Sequence, residues 1–154
     1  MIKIDKSRAC AVTGHRSLGY DFDKNLLEIE ILKLIDSGVN TFLVGMAVGF
    51  DSACFKVLEQ IRKQKEIKII ACIPCKNQDI NFTDKQKLEY RKMVNSADGY
   101  VLVEQEYTKG CMLKRNRYMV DNSEYLICYL RNNLGGTKYT VDYAQKKGKN
   151  IIRI

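Results

Sequence analysis

The chain has 154 residues, of which 45% are hydrophobic, with one proline, ten glycines and a formal net charge of +8. That length suits one domain at about 100–200 residues per domain. The composition excludes a disordered, collagen-like or low-complexity chain, and no apolar run approaches the ~18 residues of a membrane-spanning helix. Residues 1–77 carry 12 basic and 9 acidic side chains and residues 78–154 carry 14 and 9, so the excess charge forms no tail. Diffuse positive charge suits an anionic ligand or nucleic acid, and equally a well-solvated surface. The N-terminal Met-Ile-Lys-Ile-Asp-Lys has no apolar signal segment, so the six cysteines are expected to be reduced thiols in a soluble, cytoplasmic protein.

In chain order, Arg8–Thr13 reads as a buried first strand ended by Gly14. A helix is predicted over Asp21–Asp36, because Leu27, Ile31, Leu34 and Ile35 recur on one face. Thr41–Val44 is the second strand. The turn Gly45-Met46-Ala47-Val48-Gly49-Phe50-Asp51 follows it, and Asp51 reads as the N-cap of a helix burying Cys54, Val57, Leu58 and Ile61. Ile67–Ile73 is the third strand, stopped by Pro74. Thr83-Asp84-Lys85-Gln86 has capping-box form ahead of a helix with Tyr90, Met93, Val94 and Ala97 on one face. Tyr100–Val103 is the fourth strand, and a helix over about 111–122 carries an apolar stripe of Met112, Leu113, Met119 and Val120. Tyr125–Leu130 is the fifth strand. Thr137 reads as the N-cap of a helix over Tyr139–Lys147, and Asn150–Ile154 closes the chain as a short strand.

Regular alternation of strand and helix, with strands apolar throughout, predicts an α/β, Rossmann-like three-layer sandwich with a mostly parallel central sheet, one domain over 1–154. Ligands of such sheets bind at the carboxyl ends of the strands. Three glycine-bearing turns follow strands and therefore share that edge: Gly14-His15-Arg16, Gly45–Asp51 and Gly135-Gly136-Thr137.

Glycine lets backbone approach a ligand closely, and a helix N-terminus offers free N–H groups to an anion. Gly14, His15 and Arg16 are therefore candidate ligand-binding residues, with Arg16 suited to a phosphate. Gly45, Ala47 and Gly49 form a second candidate turn, and Asp51 is either a cap or a ligand to a ribose hydroxyl. Gly135, Gly136 and Thr137 form the third. Lys114, Arg115 and Arg117 are the densest basic cluster. Arg115 falls on a different helix face from the other two, so one arginine is expected at the site and the rest in solvent. Cys72-Ile73-Pro74-Cys75 has no second cysteine pair and no histidine set to complete a metal site, so no metal is expected.

Taken together, Thr13-Gly14-His15-Arg16, Gly45–Asp51, Arg115-Asn116-Arg117 and Gly135-Gly136-Thr137 resemble the SLOG superfamily, and within it the small stand-alone YpsA-like branch, over Arg8–Ile154. Gly45, Ala47, Gly49 and Asp51 match the Gly-x-Ala-x-Gly-x-Asp turn of the DNA-processing protein A family, and Arg115-Asn116-Arg117 its Arg-Asn-Arg. Met112 and Arg115 match the Met-x-x-Arg motif of the lonely-guy phosphoribohydrolases. Their Pro-Gly-Gly-x-Gly-Thr-x-x-Glu motif is altered here: Leu134 replaces the proline, the third glycine and its threonine are missing, and Asp142 lies near the glutamate position.

The resemblance implies binding of a nucleotide or nucleotide-derived ligand, such as ADP-ribose, NAD or a nucleoside monophosphate, by a sensor linked to bacterial cell division or stress. Such a sensor would work with a protein partner, and related folds often pair as homodimers. The alternatives it raises are N-glycosidic hydrolysis with Arg115 and Asp142 as catalytic residues, and single-stranded nucleic-acid binding.

Overall fold

A computed structural model describes residues 2–154. After a short 3₁₀ turn at Lys6–Arg8 come β1 (Ala9–Gly14), α1 (Lys24–Asp36), β2 (Thr41–Val44), α2 (Phe50–Arg62) and β3 (Lys68–Ile73). Then follow α3 (Asp84–Ser96), β4 (Gly99–Leu102), α4 (Cys111–Asp121), β5 (Tyr125–Tyr129), α5 (Gly135–Lys146) and β6 (Asn150–Arg153). The six strands form one sheet in the order β4-β3-β2-β1-β5-β6, and every pairing is parallel.

The apolar strands are read by both faces of the sheet. Side chains alternate across a strand, so Cys10, Val12, Phe42, Val44, Ile69, Ala71, Ile127 and Tyr129 pack on one face, against α1, α2 and α3. Ala11, Leu43, Ile70, Cys72, Leu126 and Cys128 pack on the other with residues of α4 and α5. These are the three layers expected of continuous hydrophobic strands. From β1 the chain builds outward through β2, β3 and β4, then returns through α4 to start β5 on the other side of β1. The loops after β1 and β5 thus leave toward opposite faces, and a crevice opens at this switch point.

Three helix starts differ from the sequence reading. α1 begins at Lys24, capped by Asp23, whose carboxylate accepts from the Leu26 N–H at 3.1 Å. Asp21 is drawn away by Arg131 Nε at 2.7 Å and the Tyr129 hydroxyl at 3.0 Å. Asp51 is not the N-cap of α2. That position is Gly49, and the Asp51 carboxylate reaches back to accept from the Ala47 N–H at 3.2 Å. Thr137 is not the cap of α5 either: the helix starts at Gly135, with Leu134 in the cap position, a residue whose side chain cannot accept from the helix N–H groups and whose own N–H donates to Asn132 Oδ1 at 3.1 Å. The capping box of α3 forms as predicted, with Thr83 and Gln86 bonded reciprocally. On α4 the buried face is Cys111, Arg115, Met119 and Val120, so an arginine replaces Met112 and Leu113 in the expected apolar stripe.

Gly49 adopts φ 83°, and a Cβ there would lie 2.1 Å from the Arg16 carbonyl oxygen. Substitution would force apart two stretches of backbone as well as strain φ. Gly110, also at φ 83°, faces open space. Gly49→Ala is expected to lose about 3 kcal/mol or more, roughly 6–12 °C in Tm, while Gly110→Ala loses only about 1–2 kcal/mol. Thermal unfolding of the two variants measures the difference, and equal losses would contradict the packing role of Gly49.

Candidate functional site

The crevice beside the switch point is a cleft of about 310 Å³. The loop after β1 supplies Gly14, His15 and Arg16, the turn after β2 supplies Ala47 and Asp51, α4 supplies Arg115 and Asn116, and the start of α5 supplies Gly135, Gly136 and Thr137.

Arg115 is the centre of this arrangement. It is only 5% exposed, and a buried guanidinium is tolerated only with partners. Its Nη1 donates to the Gly45 carbonyl and, at 3.2 Å, to the Cys72 carbonyl, while its Nε donates to Asn116 Oδ1 at 2.8 Å. Asn116 Nδ2 passes the contact on to Thr140 Oγ1 at 2.9 Å, and that hydroxyl donates to the Gly136 carbonyl at 2.8 Å. One hydrogen-bonded chain therefore runs from the β2 turn, across α4, to the first turn of α5. No protein hydrogen bond among the described residues uses Arg115 Nη2.

Gly45 is the narrow point. A Cβ there would sit 2.9 Å from Arg115 Cζ and 3.0 Å from Asp51 Oδ2. The missing side chain is what lets the guanidinium and the carboxylate face each other across the turn. The Gly45 carbonyl takes a second hydrogen bond from Nε2 of Gln78 at 3.0 Å; the Gln78 Oε1 is buried without a partner among the described residues. Next to it, Met46 holds a left-handed φ of 65° with its side chain buried. The strained turn is thus gripped from two sides.

Burial pushes the Asp51 carboxyl up to about 6, against the opposing pull of Arg115, the Ala47 N–H and Arg16. Burial presses Arg115 in the other direction, downward, with Asp51 opposing it.

The loop after β1 is fastened on both sides. His15 Nε2 accepts from the Arg131 N–H at 2.8 Å, which places the ring proton on Nδ1. The His15 carbonyl accepts from the Phe50 N–H at 3.1 Å, and the Phe50 ring occupies the space where a Gly14 side chain would be, 2.4 Å from the ideal Cβ. Arg131 lies 4.1 Å over the Tyr129 ring and reaches Asp21 and the Ile154 carbonyl. The Arg131 and Tyr129 hydrogen bonds hold the Asp21 carboxyl below its ordinary value.

Of the residues singled out from sequence, the cleft brings together Gly14, His15, Arg16, Ala47, Asp51, Arg115, Gly135, Gly136 and Thr137. Gly45 lies behind them, its carbonyl already occupied, and Gly49 faces away against the Arg16 backbone. Arg117 donates to the Tyr139 hydroxyl at 2.9 Å, Lys114 pairs with Glu104, and Asp142 pairs with Lys138 at 2.7 Å; none of these lines the cleft. Gln78 and Arg131 are not among the residues singled out from sequence, and Asn116 enters there only as the middle of the Arg115-Asn116-Arg117 motif. Asn116, a poor helix former between two arginines, carried a faint signal; Gln78 and Arg131 sit in polar loops with none. Among the described residues no group of three or more His, Cys, Asp or Glu side chains is placed to hold a metal, and no helix is long and apolar enough to cross a membrane.

Residues 10–153 match the model of the YspA SLOG family, and the chain belongs to that family. It is 34% identical over 137 residues to the SPbeta prophage-derived protein YoqJ of Bacillus subtilis (strain 168), covering 80% of each chain. It is 23% identical over 147 residues to a UPF0398 protein of Halalkalibacterium halodurans, covering 92% of this chain and 77% of that one. Its fold is similar to DNA processing protein A of Helicobacter pylori, a structure concerned with that protein's single-stranded DNA binding mode (TM-score 0.69, 20% identity). The Streptococcus pneumoniae protein of that name is similar at TM-score 0.68 and 17% identity. The likeness takes in 96% of this chain in both cases, but only 65% and 50% of those longer chains.

The raised Asp51 carboxyl has a consequence for stability. The folded chain holds this proton up to about pH 6, whereas an unfolded aspartate releases it near pH 4. Stability from this group is therefore complete below about pH 4 and is lost as pH rises through about 6. Asp51→Asn, which keeps an acceptor for the Ala47 N–H, is expected to remove this slope and to be more stable at pH 8 by up to roughly 3 kcal/mol. Urea unfolding of both proteins at pH 4.5 and 8 measures it; a parent protein that gains stability across that range relative to the variant would contradict the assignment.

Proposed function

We propose that the cleft binds a nucleotide or nucleotide-derived ligand through its phosphate, and that the protein acts as a ligand-sensing module. The observation that carries this reading is the convergence of a nine-tenths buried arginine with an uncapped helix start. Arg115, whose Nη2 makes no protein hydrogen bond among the described residues, lines a cleft that also receives the first turn of α5; there Asn132 Oδ1 accepts from the Leu134 N–H at 3.1 Å, and among the described residues no side chain bonds the N–H groups of Gly135, Gly136 or Thr137. A helix start with unused N–H groups attracts anions, and Arg16 adds an exposed second cation. The volume of about 310 Å³ is at the small end of ligand sites, which favours a mononucleotide or one half of ADP-ribose or NAD. The carboxylate lining the cleft is Asp51, placed to accept from a sugar hydroxyl when ionised or to donate to a phosphate oxygen when protonated. Hydrolysis through Asp142 receives no support from its position, since that side chain is engaged by Lys138 outside the cleft. Membership of the SLOG family supports nucleotide-type ligands, and the likeness to the YpsA-like branch is what supports a role in bacterial cell division or stress.

Thermal unfolding with AMP, ADP-ribose and NAD at millimolar concentration tests the reading. A ligand at about 100 times its Kd raises stability by about 2.7 kcal/mol. Arg16→Ala is expected to weaken the effective ligand about tenfold, as removal of one charge-assisted contact does, and Asp142→Asn is expected to leave it unchanged. No shift with any of the three compounds would overturn the reading.

A second reading, single-stranded nucleic acid, is favoured by one patch. Tyr139 and Tyr143 stack on α5 with centroids 6.4 Å apart and planes at 9°, Arg117 bonds the Tyr139 hydroxyl, and Lys147 lies 5.4 Å over the Tyr143 ring. Aromatic faces flanked by cations suit stacked bases, and the DNA processing protein A fold supports the same class of ligand. Fluorescence anisotropy with a labelled oligothymidylate should then show affinity falling steeply between about 50 and 200 mM salt and further loss in Tyr139→Ala. Salt-independent binding, or none, would remove this reading.

A further inference from the structure

A second cleft, of about 340 Å³, lies on the other side of the β2–α2 turn, between the start of α1, α2 and α3. The backbone of Gly49 pressed against Arg16 is part of the wall between it and the anion cleft. Its apolar lining includes Leu18, Met46, Val48, Phe82, Tyr90 and Met93, of which Leu18 is exposed and Met46, Tyr90 and Met93 are buried beneath the cleft floor. Phe82 and Tyr90 meet edge to face, 5.7 Å between centroids. Thioether sulfur and aromatic edges both favour contact with a further aromatic ring.

The polar groups at its mouth are mostly donors. Lys24 has no carboxylate within 4.0 Å among the described residues. Lys56 faces Glu89, a half-buried carboxylate that also lines the cleft, at 3.5 Å; the lysine is exposed, and a pair this open to water contributes little, so another anion can compete for it. Gln86 spends its Oε1 on the capping box, which leaves its amide donor unused.

We propose that this cleft binds an aromatic monocarboxylate, with the ring against the Met46, Met93, Phe82 and Tyr90 surface and the carboxylate between Lys24 and Lys56. A cationic ligand would meet two lysines, and an uncharged aromatic would leave both unused. A dinucleotide exceeds the volume. The assignment is independent of the anion cleft, since no residue that contacts the ligand here lines that site.

The test is a two-dimensional ¹H–¹⁵N NMR titration with benzoate and phenylacetate, and with benzyl alcohol and inorganic phosphate as controls. Both carboxylates are expected to give saturable amide shifts over residues 46–53 and 82–93, with Kd near 1 mM, about what nine or ten heavy atoms supply. Benzyl alcohol should bind at least about tenfold more weakly, and phosphate should move the residues of the other cleft instead. The exposed pair Lys24→Gln/Lys56→Gln should weaken benzoate about tenfold, with the rest of its spectrum unchanged as the check on folding. Absence of saturable shifts with either carboxylate at about 10 mM, shifts confined to the anion cleft, equal binding of benzyl alcohol, or an unaffected double variant would each overturn the proposal.

Discussion

The grip of Arg115 on the Gly45 carbonyl is the interaction on which the carboxyl edge of this sheet depends. A guanidinium brought out of water is expensive unless its donors are used. Here Nη1 and Nε are used, on two carbonyls and one amide oxygen, from the turn after β2, from β3 and from α4. Asp51 supplies the opposite charge without closing on it. The balance leaves Nη2 without a protein hydrogen bond among the described residues and one carboxyl with a weakened hold on its charge. A more complete ion pair would have cost the cleft both groups.

From that grip the order spreads outward. Asn116 and Thr140 carry it to the start of α5, and Gln78 holds the same carbonyl from the loop after β3. On the other side of the switch point, His15 and Arg131 join the loops after β1 and β5, with the Tyr129 ring beneath Arg131. The cleft is therefore walled by four segments fixed to one another before any ligand arrives. Prior fixing lowers the conformational entropy that binding would otherwise remove.

The glycines of the Gly-x-Ala-x-Gly-x-Asp turn serve packing more directly than they serve a ligand. Gly45 is bare because Arg115 and Asp51 occupy the space of its side chain, and Gly49 because the Arg16 backbone does. Ala47 contributes its N–H to Asp51 and lines the cleft. The motif therefore describes a folded turn with a buried charge pair at its back. The groups free to meet an anion come from the loop after β1, the start of α5 and the inner edge of Arg115.

Alternating apolar strands and amphipathic helices were enough to specify a parallel three-layer sheet, because side-chain periodicity is local and each strand's two faces demand cover. That three glycine turns would share one edge followed from the same alternation. The family motifs were legible too, since they are short and contiguous. What local pattern did not contain was partner choice over long separations. Asp51 reads as a cap or a sugar ligand, yet in the fold it is buried near Arg115 and its carboxylate accepts from the Ala47 N–H. Helical spacing turns Arg115 away from Lys114 and Arg117, yet only the face of α4 set against β3 and β1 makes it buried. Gln78 and Arg131 acquire their roles only because the loops after β3 and β5 land beside Gly45 and His15. Sequence determined the layers and the edge at which the glycine turns gather, because those depend on period and order; tertiary structure alone decided which charges are desolvated there, because desolvation depends on neighbours brought from distant parts of the chain.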